Sequence, residues 1–197
     1  MPTEYYHRAL EEAEKHHASS KTYSGKFLRP HAPFIKEIID RLGCRSVLDY
    51  GCGKGRQYEW RSSEDNQAIP KGQTIEEFWG VPVRKFDPAY PPFAAVPVGR
   101  FDLVICTHVV GSVPRRDLRW FREGLERYAT KAIYYAEKLG PVGKQVFSQP
   151  ELMPRDWTRE EWVTALRPVG RPGLEVWLAT REDRGGSGNI IVERSRI

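Results

Sequence analysis

The amino-acid sequence predicts an α/β fold with a mostly parallel sheet, and two observations support it. Short apolar runs typical of buried strands alternate with stretches in which apolar residues recur every three or four positions, as in amphipathic helices. One of these runs, Phe101 to Cys106, is apolar apart from Asp102, as expected for a strand that helices cover on both faces. Alternating strands and helices indicate a three-layer sandwich, and 197 residues suit one domain.

Two helices are predicted before the first strand. The first, Thr3 to His17, has one apolar face formed by Tyr6, Leu10, Ala13 and His17. Adjacent residues on a helix point about 100° apart, so His16 and His17 are expected to be solvated or helix-end residues, not a metal-binding pair. A polar connection, Ser19 to Pro30, precedes the second helix, Ala32 to Leu42, which should stop at Gly43.

The first strand, around Val47 and Leu48, runs into a glycine-rich turn. The acidic residue Asp49 comes two positions before the first of three alternate glycines, Gly51, Gly53 and Gly55. Glycine accepts positive φ and lets a ligand lie against the backbone, so this turn is a candidate binding site. A helix beginning at Arg56 would direct its free N–H groups at the same ligand.

This G-x-G-x-G turn with its preceding acid resembles motif I of the class I S-adenosylmethionine (SAM)-dependent methyltransferases. The resemblance implies a Rossmann-like fold, SAM as cofactor, and cofactor contacts from Asp49, Gly51, Cys52, Gly53 and Gly55. Dinucleotide-binding folds use G-x-G-x-x-G and place a pyrophosphate on the helix N-terminus. A carboxylate beside the turn suits the positively charged amino acid end and sulfonium of SAM, and would be badly placed against two phosphates.

A second strand, Val81 to Phe86, ends on Asp87 and Pro88. The resemblance implies that Asp87 accepts hydrogen bonds from the ribose hydroxyls of SAM and that Pro88 lies beside the cofactor. Asp87 comes 32 residues after Gly55 because a polar insertion at 61–80, with one helical turn, lengthens the connection. The alternative is an Asp-Pro pair that merely starts a turn.

Five more strands complete a predicted seven-stranded, mostly parallel sheet that ends in an antiparallel hairpin. Only 13 residues separate Asp87 from Phe101, so the third strand is expected to be degenerate. A long loop is expected at 138–155, and Thr158 should cap the last helix, which Pro168 ends. The predicted strands are Ala94 to Val98, Phe101 to Cys106, Lys131 to Glu137, Leu174 to Thr180 and Asn189 to Glu193, with a helix from Arg115 to Ala129 before the fifth strand.

Ligands of open α/β sheets bind beyond the carboxyl ends of the strands, which would gather the glycine turn, Asp87, Thr107, His108 and Glu137 around one crevice. Thr107 and His108 are candidate cofactor contacts. His108 is also the candidate general base, the alternative being a histidine that only supports the site or contacts the cofactor.

The chain is expected to divide into an N-terminal helix and lid, 1–31, and a SAM-binding domain, 32–197. Tyr23 and Lys26 precede the helix that leads into the first strand, so they are expected to lie near the glycine turn. An aromatic face and an ammonium group suit a sulfonium and a carboxylate. The alternative is an ordinary solvated linker.

These patterns favour a SAM-dependent methyltransferase acting on a small molecule. Two alternatives remain at this stage: a nucleic-acid methyltransferase, which a net charge of +5 would suit, and an enzyme that binds SAM but cleaves or cyclises it.

The odd number of cysteines, Cys44, Cys52 and Cys106, indicates buried thiols and no metal site. A charged N-terminus and the absence of long apolar runs predict a cytoplasmic protein without a membrane partner.

Overall fold

The computed structural model of the protein describes residues 1–19, 22–63, 68–139, 153, 156–168, 171–182 and 190–196. These residues form an α/β fold of five α-helices and one six-stranded sheet. The helices are α1 (Glu4–His17), α2 (Ala32–Leu42), α3 (Ile75–Trp79), α4 (Leu118–Tyr128) and α5 (Arg159–Leu166). The strands are β1 (Val47–Tyr50), β2 (Val83–Phe86), β3 (Phe101–Thr107), β4 (Ala129–Leu139), β5 (Glu175–Glu182) and β6 (Ile190–Arg196).

The strands lie in the order β2-β1-β3-β4-β5-β6. Strands β1 to β5 are parallel, and β6 pairs with β5 in the antiparallel direction. The five parallel strands follow the doubly wound 3-2-1-4-5-6 order without its third strand, and the antiparallel β6 is added at the edge, so the sheet is consistent with a Rossmann-like fold. The chain leaves β1 for β2 on one side and returns to β3 on the other. The carboxyl ends of β1 and β3 therefore flank the point where a ligand crevice is expected.

The helices cover both faces of the sheet, as predicted. Because side chains alternate along a strand, Val104 and Cys106 of β3 face one core, while Leu103 and Ile105 face the other. The first core contains apolar side chains of α1, α4 and α5, and the second contains those of α2 and α3. The result is the three-layer arrangement expected from the sequence.

The predicted count of seven strands is wrong, because no strand forms at 94–98. The chain instead makes a short 3-10 turn at Pro91–Phe93 and then runs along the surface. Val96 and Val98 are 68% and 94% exposed, so their side chains gain nothing from a sheet face. Pro91, Pro92 and Pro97 lack the N–H groups that a strand ladder needs. The edge of the sheet is therefore β2.

The other predicted elements are confirmed, with some shifted ends, except for the helix expected at Arg56. Gly43 ends α2 in the left-handed conformation, and Thr158 and Glu161 form the expected capping box of α5. The helix expected to begin at Arg56 is only a 3-10 turn, Arg56–Tyr58, and α4 follows a separate 3-10 turn, Arg115–Asp117. Most of the predicted loop at 138–155 and the glycine-rich turn of the hairpin lie outside the described residues.

Candidate functional site

The glycine turn after β1 is held close to three other parts of the chain. Gly51, Gly53 and Gly55 all have positive φ, at 87°, 59° and 68°. A Cβ on Gly51 would collide with the side chain of Val109, and one on Gly55 would lie 2.8 Å from Phe93. Neither contact is possible between real carbon atoms, so these positions require glycine for conformation and for space.

Asp87 lies against this turn, directly after β2. One carboxylate oxygen accepts a 2.8 Å hydrogen bond from the Gly53 N–H, and the other accepts a 2.9 Å hydrogen bond from the Ala89 N–H. The carbonyl of Phe86 accepts hydrogen bonds from the N–H groups of Gly51 and Cys52. These hydrogen bonds join the ends of β1 and β2, and they place the Asp87 carboxylate beside Gly53, the middle glycine of the turn.

Asp49 lies beneath the turn and does not line the cavity described below. One of its oxygens accepts hydrogen bonds from Tyr58 Oη, at 2.8 Å, and Gln57 Nε2, at 3.1 Å. Burial raises the pKa of Asp49 to about 6, although these two hydrogen bonds oppose the shift. Gln57 also donates to the carbonyl of Cys52, at 3.0 Å, so Asp49 supports the shape of the turn from below.

A cavity of about 660 Å³ opens at the carboxyl ends of β1 and β3. Its volume falls within the range of small-molecule sites, roughly 300–1,000 Å³. Three of the predicted cofactor contacts, Asp49, Gly55 and Lys26, do not line it. The predicted contacts that do line it are Tyr23, Gly51, Cys52, Gly53, Asp87, Pro88, Thr107 and His108.

His108, the candidate base, has an unusual backbone conformation. Its φ is +56°, a left-handed value that few residues other than glycine adopt. The His108 N–H donates a 2.7 Å hydrogen bond to the carbonyl of Ala136, which holds the turn after β3 against β4. Its ring lies beside those of Phe27 and His31, with centroids 4.9 and 5.9 Å away. Burial lowers the pKa of His31 to about 4, so His31 is neutral near pH 7.

Glu137, at the carboxyl end of β4, stabilises the same turn but does not line the cavity. Its Oε1 accepts a 2.9 Å hydrogen bond from the N–H of Val110. Burial raises the pKa of Glu137 to about 8, opposed by hydrogen bonds from the turn backbone. A carboxyl group that is largely protonated near neutral pH therefore lies behind the residues that follow β3.

The segment before α2 lies over the glycine turn. A Cβ on Gly53 would lie 3.2 Å from the Cβ of Tyr23, and a Cβ on Gly25 would lie 2.5 Å from the backbone nitrogen of Gln57. Lys26 is exposed and does not line the cavity. The structure thus brings Tyr23, but not Lys26, to the predicted site.

Sequence reasoning missed His17 and Tyr90. His17 was expected to be solvated or simply at a helix end, yet it is buried at the end of α1 and lines the cavity. Its ring is stacked between those of Tyr23 and Tyr90, with centroids 4.2 and 4.9 Å away. The available signal was its place on the apolar face of α1, where a polar side chain needs a partner inside the protein.

The cavity is poor in positive charge. Of the described residues that line it, none is Lys or Arg, and Asp87 is the carboxylate. Away from Asp87 the lining is mainly apolar and aromatic. It includes Tyr6, Leu10, Ala13, Val109, Val113 and Phe121. An uncharged or cationic small molecule suits such a site better than a phosphorylated one.

The three cysteines are buried and free, as predicted. Burial raises the pKa of all three thiols, that of Cys44 to about 11. Cys52 lines the cavity as a neutral thiol at physiological pH and not as a reactive thiolate.

Comparison with protein-family models, with curated proteins and with solved structures finds no match for this chain. Among the described residues, none of the helices has the length and the apolar composition of a membrane-spanning segment. Within the same ranges, no three His, Cys, Asp or Glu side chains cluster as metal ligands would. Any functional assignment therefore rests on the residues that line the cavity.

Proposed function

We propose that the protein is a SAM-dependent methyltransferase that acts on a small-molecule acceptor. The observation that carries this proposal is the carboxylate of Asp87, hydrogen-bonded to the Gly53 N–H at the centre of the glycine turn. In dinucleotide-binding folds the N–H groups of this turn face the pyrophosphate. A carboxylate in that place would repel phosphates and favour a cationic ligand with hydroxyl donors.

The volume of the cavity and the charge of its lining are compatible with SAM. The backbone of Gly51 and Gly53 would lie against the cofactor, Asp87 would accept hydrogen bonds from its ribose, and the ring of Tyr23 would face the positive charge. Bound SAM would supply a methyl group on a positively charged sulfur, open to in-line attack by a nucleophile. The contribution of the protein is mainly to hold the two reactants in that alignment.

His108 is the residue that we assign as general base. It follows β3, lines the cavity and has a left-handed backbone, a sparsely populated conformation that concentrates at functional sites. An acceptor hydroxyl or amine could pass its proton to the imidazole as its oxygen or nitrogen bonds to the methyl carbon and the carbon–sulfur bond breaks, which would leave the cofactor as a neutral thioether. The apolar residues of α1 and α4 that line the remaining space favour a small, largely uncharged acceptor, and the absence of Lys and Arg from the described lining disfavours a nucleic acid.

Thermal unfolding with SAM, its demethylated product and NAD tests the cofactor. A ligand at a hundredfold excess over its dissociation constant stabilises the native state by about 2.7 kcal/mol. SAM and its product should raise the melting temperature, and NAD should not. Stabilisation by NAD alone would contradict the proposal.

The reaction is tested by incubating the protein with methyl-labelled SAM and a panel of small-molecule acceptors. Transfer of the label to an acceptor would support methyl transfer. Formation of methylthioadenosine when the protein is incubated with SAM alone would indicate that the protein cleaves SAM.

Asp87→Ala should weaken SAM binding by about 1.5–3 kcal/mol, the usual range for hydrogen bonds to a charged group. The loss should nearly disappear for a SAM analogue without the two ribose hydroxyls. Calorimetry with both ligands measures this difference. Asp40→Ala, which removes an exposed carboxylate from α2, is the control and should bind both ligands as the parent does. Equal losses for both ligands would assign Asp87 to the turn alone.

A further inference from the structure

Gln57 is a buried amide in the wall of the cavity, just after the glycine turn. It is only 4% exposed, and it lines the cavity. Its Nε2 donates to Asp49 Oδ2, at 3.1 Å, and to the carbonyl of Cys52, at 3.0 Å, so both N–H groups of the amide are used. The opposite orientation would bring the amide oxygen against two other oxygens. These hydrogen bonds therefore fix the direction of the Gln57 carbonyl group.

The carbonyl oxygen of this amide, Oε1, accepts no hydrogen bond within the described ranges of the chain. It retains some accessible surface, whereas the unpaired Oδ1 of Asp49 is fully buried. A Cβ on Gly25, which also lines the cavity, would lie 2.8 Å from Gln57 Oε1, so the oxygen lies where the segment before α2 meets the glycine turn. An accessible acceptor without a partner in a cavity wall suits a hydrogen-bond donor on the ligand.

The carboxylate of Asp49 makes this oxygen a better partner for a cation. A hydrogen bond that the amide donates to a carboxylate polarises the amide and increases the negative charge on its oxygen. Of the charged groups of SAM, the sulfonium has no N–H or O–H to donate, and the carboxylate would be repelled by the oxygen. An ammonium group combines a positive charge with three N–H donors.

We propose that Gln57 Oε1 accepts a hydrogen bond from the ammonium group at the amino acid end of SAM. This inference rests on the proposed function, because it assumes a ligand with an ammonium group beside the glycine turn. The amino acid end of the cofactor then lies beside Gly25, in contact with the segment before α2.

Gln57→Met tests this role, because methionine has a similar length and no oxygen. The probes are S-adenosylhomocysteine, the demethylated product of SAM, and its desamino analogue, in which hydrogen replaces the ammonium group. The parent should bind the first more tightly, and Gln57→Met should lower this preference about tenfold, the lower end of the range for a hydrogen bond to a charged group. Gln73→Met, the same substitution outside the cavity lining, is the control and should keep the preference.

Gln57→Glu separates recognition of the ammonium group from support of the turn. A glutamate carboxylate keeps an oxygen for the ligand but, like methionine, donates nothing to Asp49 or Cys52. Its preference for S-adenosylhomocysteine should equal or exceed that of the parent. A purely structural role of Gln57 would weaken both probes alike and leave the ratio of their affinities unchanged.

Calorimetry measures the two affinities of each chain. An unchanged ratio in Gln57→Met, or an equal fall of the ratio in both Gln57 variants, overturns the inference alone. Equal affinity of the parent for the two probes overturns it without any variant, and Gln57→Ala replaces Gln57→Met if the latter does not fold. A parent chain that binds neither SAM nor S-adenosylhomocysteine overturns the proposed function as well.

Discussion

Gly53 has a left-handed backbone conformation and also packs against the N-terminal segment. Its φ is +59°, and a Cβ there would lie 3.2 Å from the Cβ of Tyr23. Gly43, at the end of α2, has nearly the same φ, +55°, but a Cβ there would meet nothing within 4 Å. An alanine at either position therefore introduces left-handed strain, but only an alanine at position 53 also displaces Tyr23.

We predict that Gly53→Ala and Gly43→Ala each lower the free energy of unfolding by about 1 kcal/mol, because alanine is strained at positive φ. Gly53→Ala should also weaken SAM binding, since the added methyl group occupies the space between the turn and Tyr23. Denaturant unfolding and calorimetry measure the two effects. Equal SAM affinity in both variants would show that close approach at Gly53 is not needed.

We expect Glu137 to make the stability of the protein depend on pH. Its pKa is raised by burial to about 8 in the folded chain, whereas an unfolded glutamate has a pKa near 4.5. Between these values the folded state retains a proton that the unfolded state has lost, so stability falls as pH rises. The stabilising effect of this proton is complete below about pH 4.5 and is lost by about pH 8, with a slope of up to ~1.4 kcal/mol per pH unit.

Glu137→Gln should remove the part of the pH dependence of stability that comes from the Glu137 proton. We expect unfolding free energies measured from pH 5 to pH 8 to fall less steeply in the variant than in the parent. The amide retains an oxygen for the Val110 N–H, which limits the accompanying loss of structure. Parallel curves for the two proteins would show that Glu137 ionises in the folded state as it does in the unfolded state.

At the scale of elements, α1 is attached to the start of α4 by a buried carboxylate. Asp117 accepts hydrogen bonds from the Thr3 N–H, at 2.8 Å, and from the Thr3 hydroxyl, at 2.6 Å. Tyr6 adds an edge-to-face contact with Trp120, with ring centroids 4.9 Å apart. Because α1 carries His17 into the cavity, this attachment also positions part of the candidate site.

Asp117→Ala should therefore destabilise the protein by about 1.5–3 kcal/mol, the range for hydrogen bonds to a charged group, and weaken SAM binding as well. Faster hydrogen exchange along α1 should accompany the loss. Glu123→Ala, which removes an exposed carboxylate from α4, is the control and should change neither property. Destabilisation without any change in SAM affinity would mean that the site does not depend on how α1 is held.

At the scale of the whole molecule, the segment before α2 lines the cavity beside the glycine turn. Tyr23 packs against Gly53, and Gly25 lies against Gln57, so we expect this segment to cover a ligand bound at the turn. Release of such a ligand requires local opening of the segment, and binding suppresses that opening.

We predict that SAM slows hydrogen exchange across residues 22–30 as well as at the glycine turn. Amides in the centre of β4 should exchange equally slowly with and without ligand, which provides an internal reference. If SAM protects the turn and Asp87 while residues 22–30 exchange as before, the segment is a linker and not a lid.

The elements of this fold could be predicted because each depends on a local pattern. Periodic apolar residues indicate α1, α2 and α4, and continuous apolar runs indicate β3 and β4. The third strand was wrongly predicted, because a strand depends on pairing with a neighbour, and the sequence from 94 to 98 does not show that its valines stay exposed.

The sequence by itself determined the α/β class, the glycine turn and the acid at the end of β2, because short-range spacing and residue type carry that information. Only the tertiary structure decided which side chains surround Asp87. His17, Tyr23 and Tyr90 come from distant segments, and their stacking depends on how α1 and the segment before α2 pack against the sheet. The tertiary structure also removes a residue from the predicted site. The position of Asp49 beside the glycines predicted a ligand contact, but its hydrogen bonds with Gln57 and Tyr58 hold it beneath the turn. Burial and long-range contact are properties of the folded chain, so no local pattern could have supplied them.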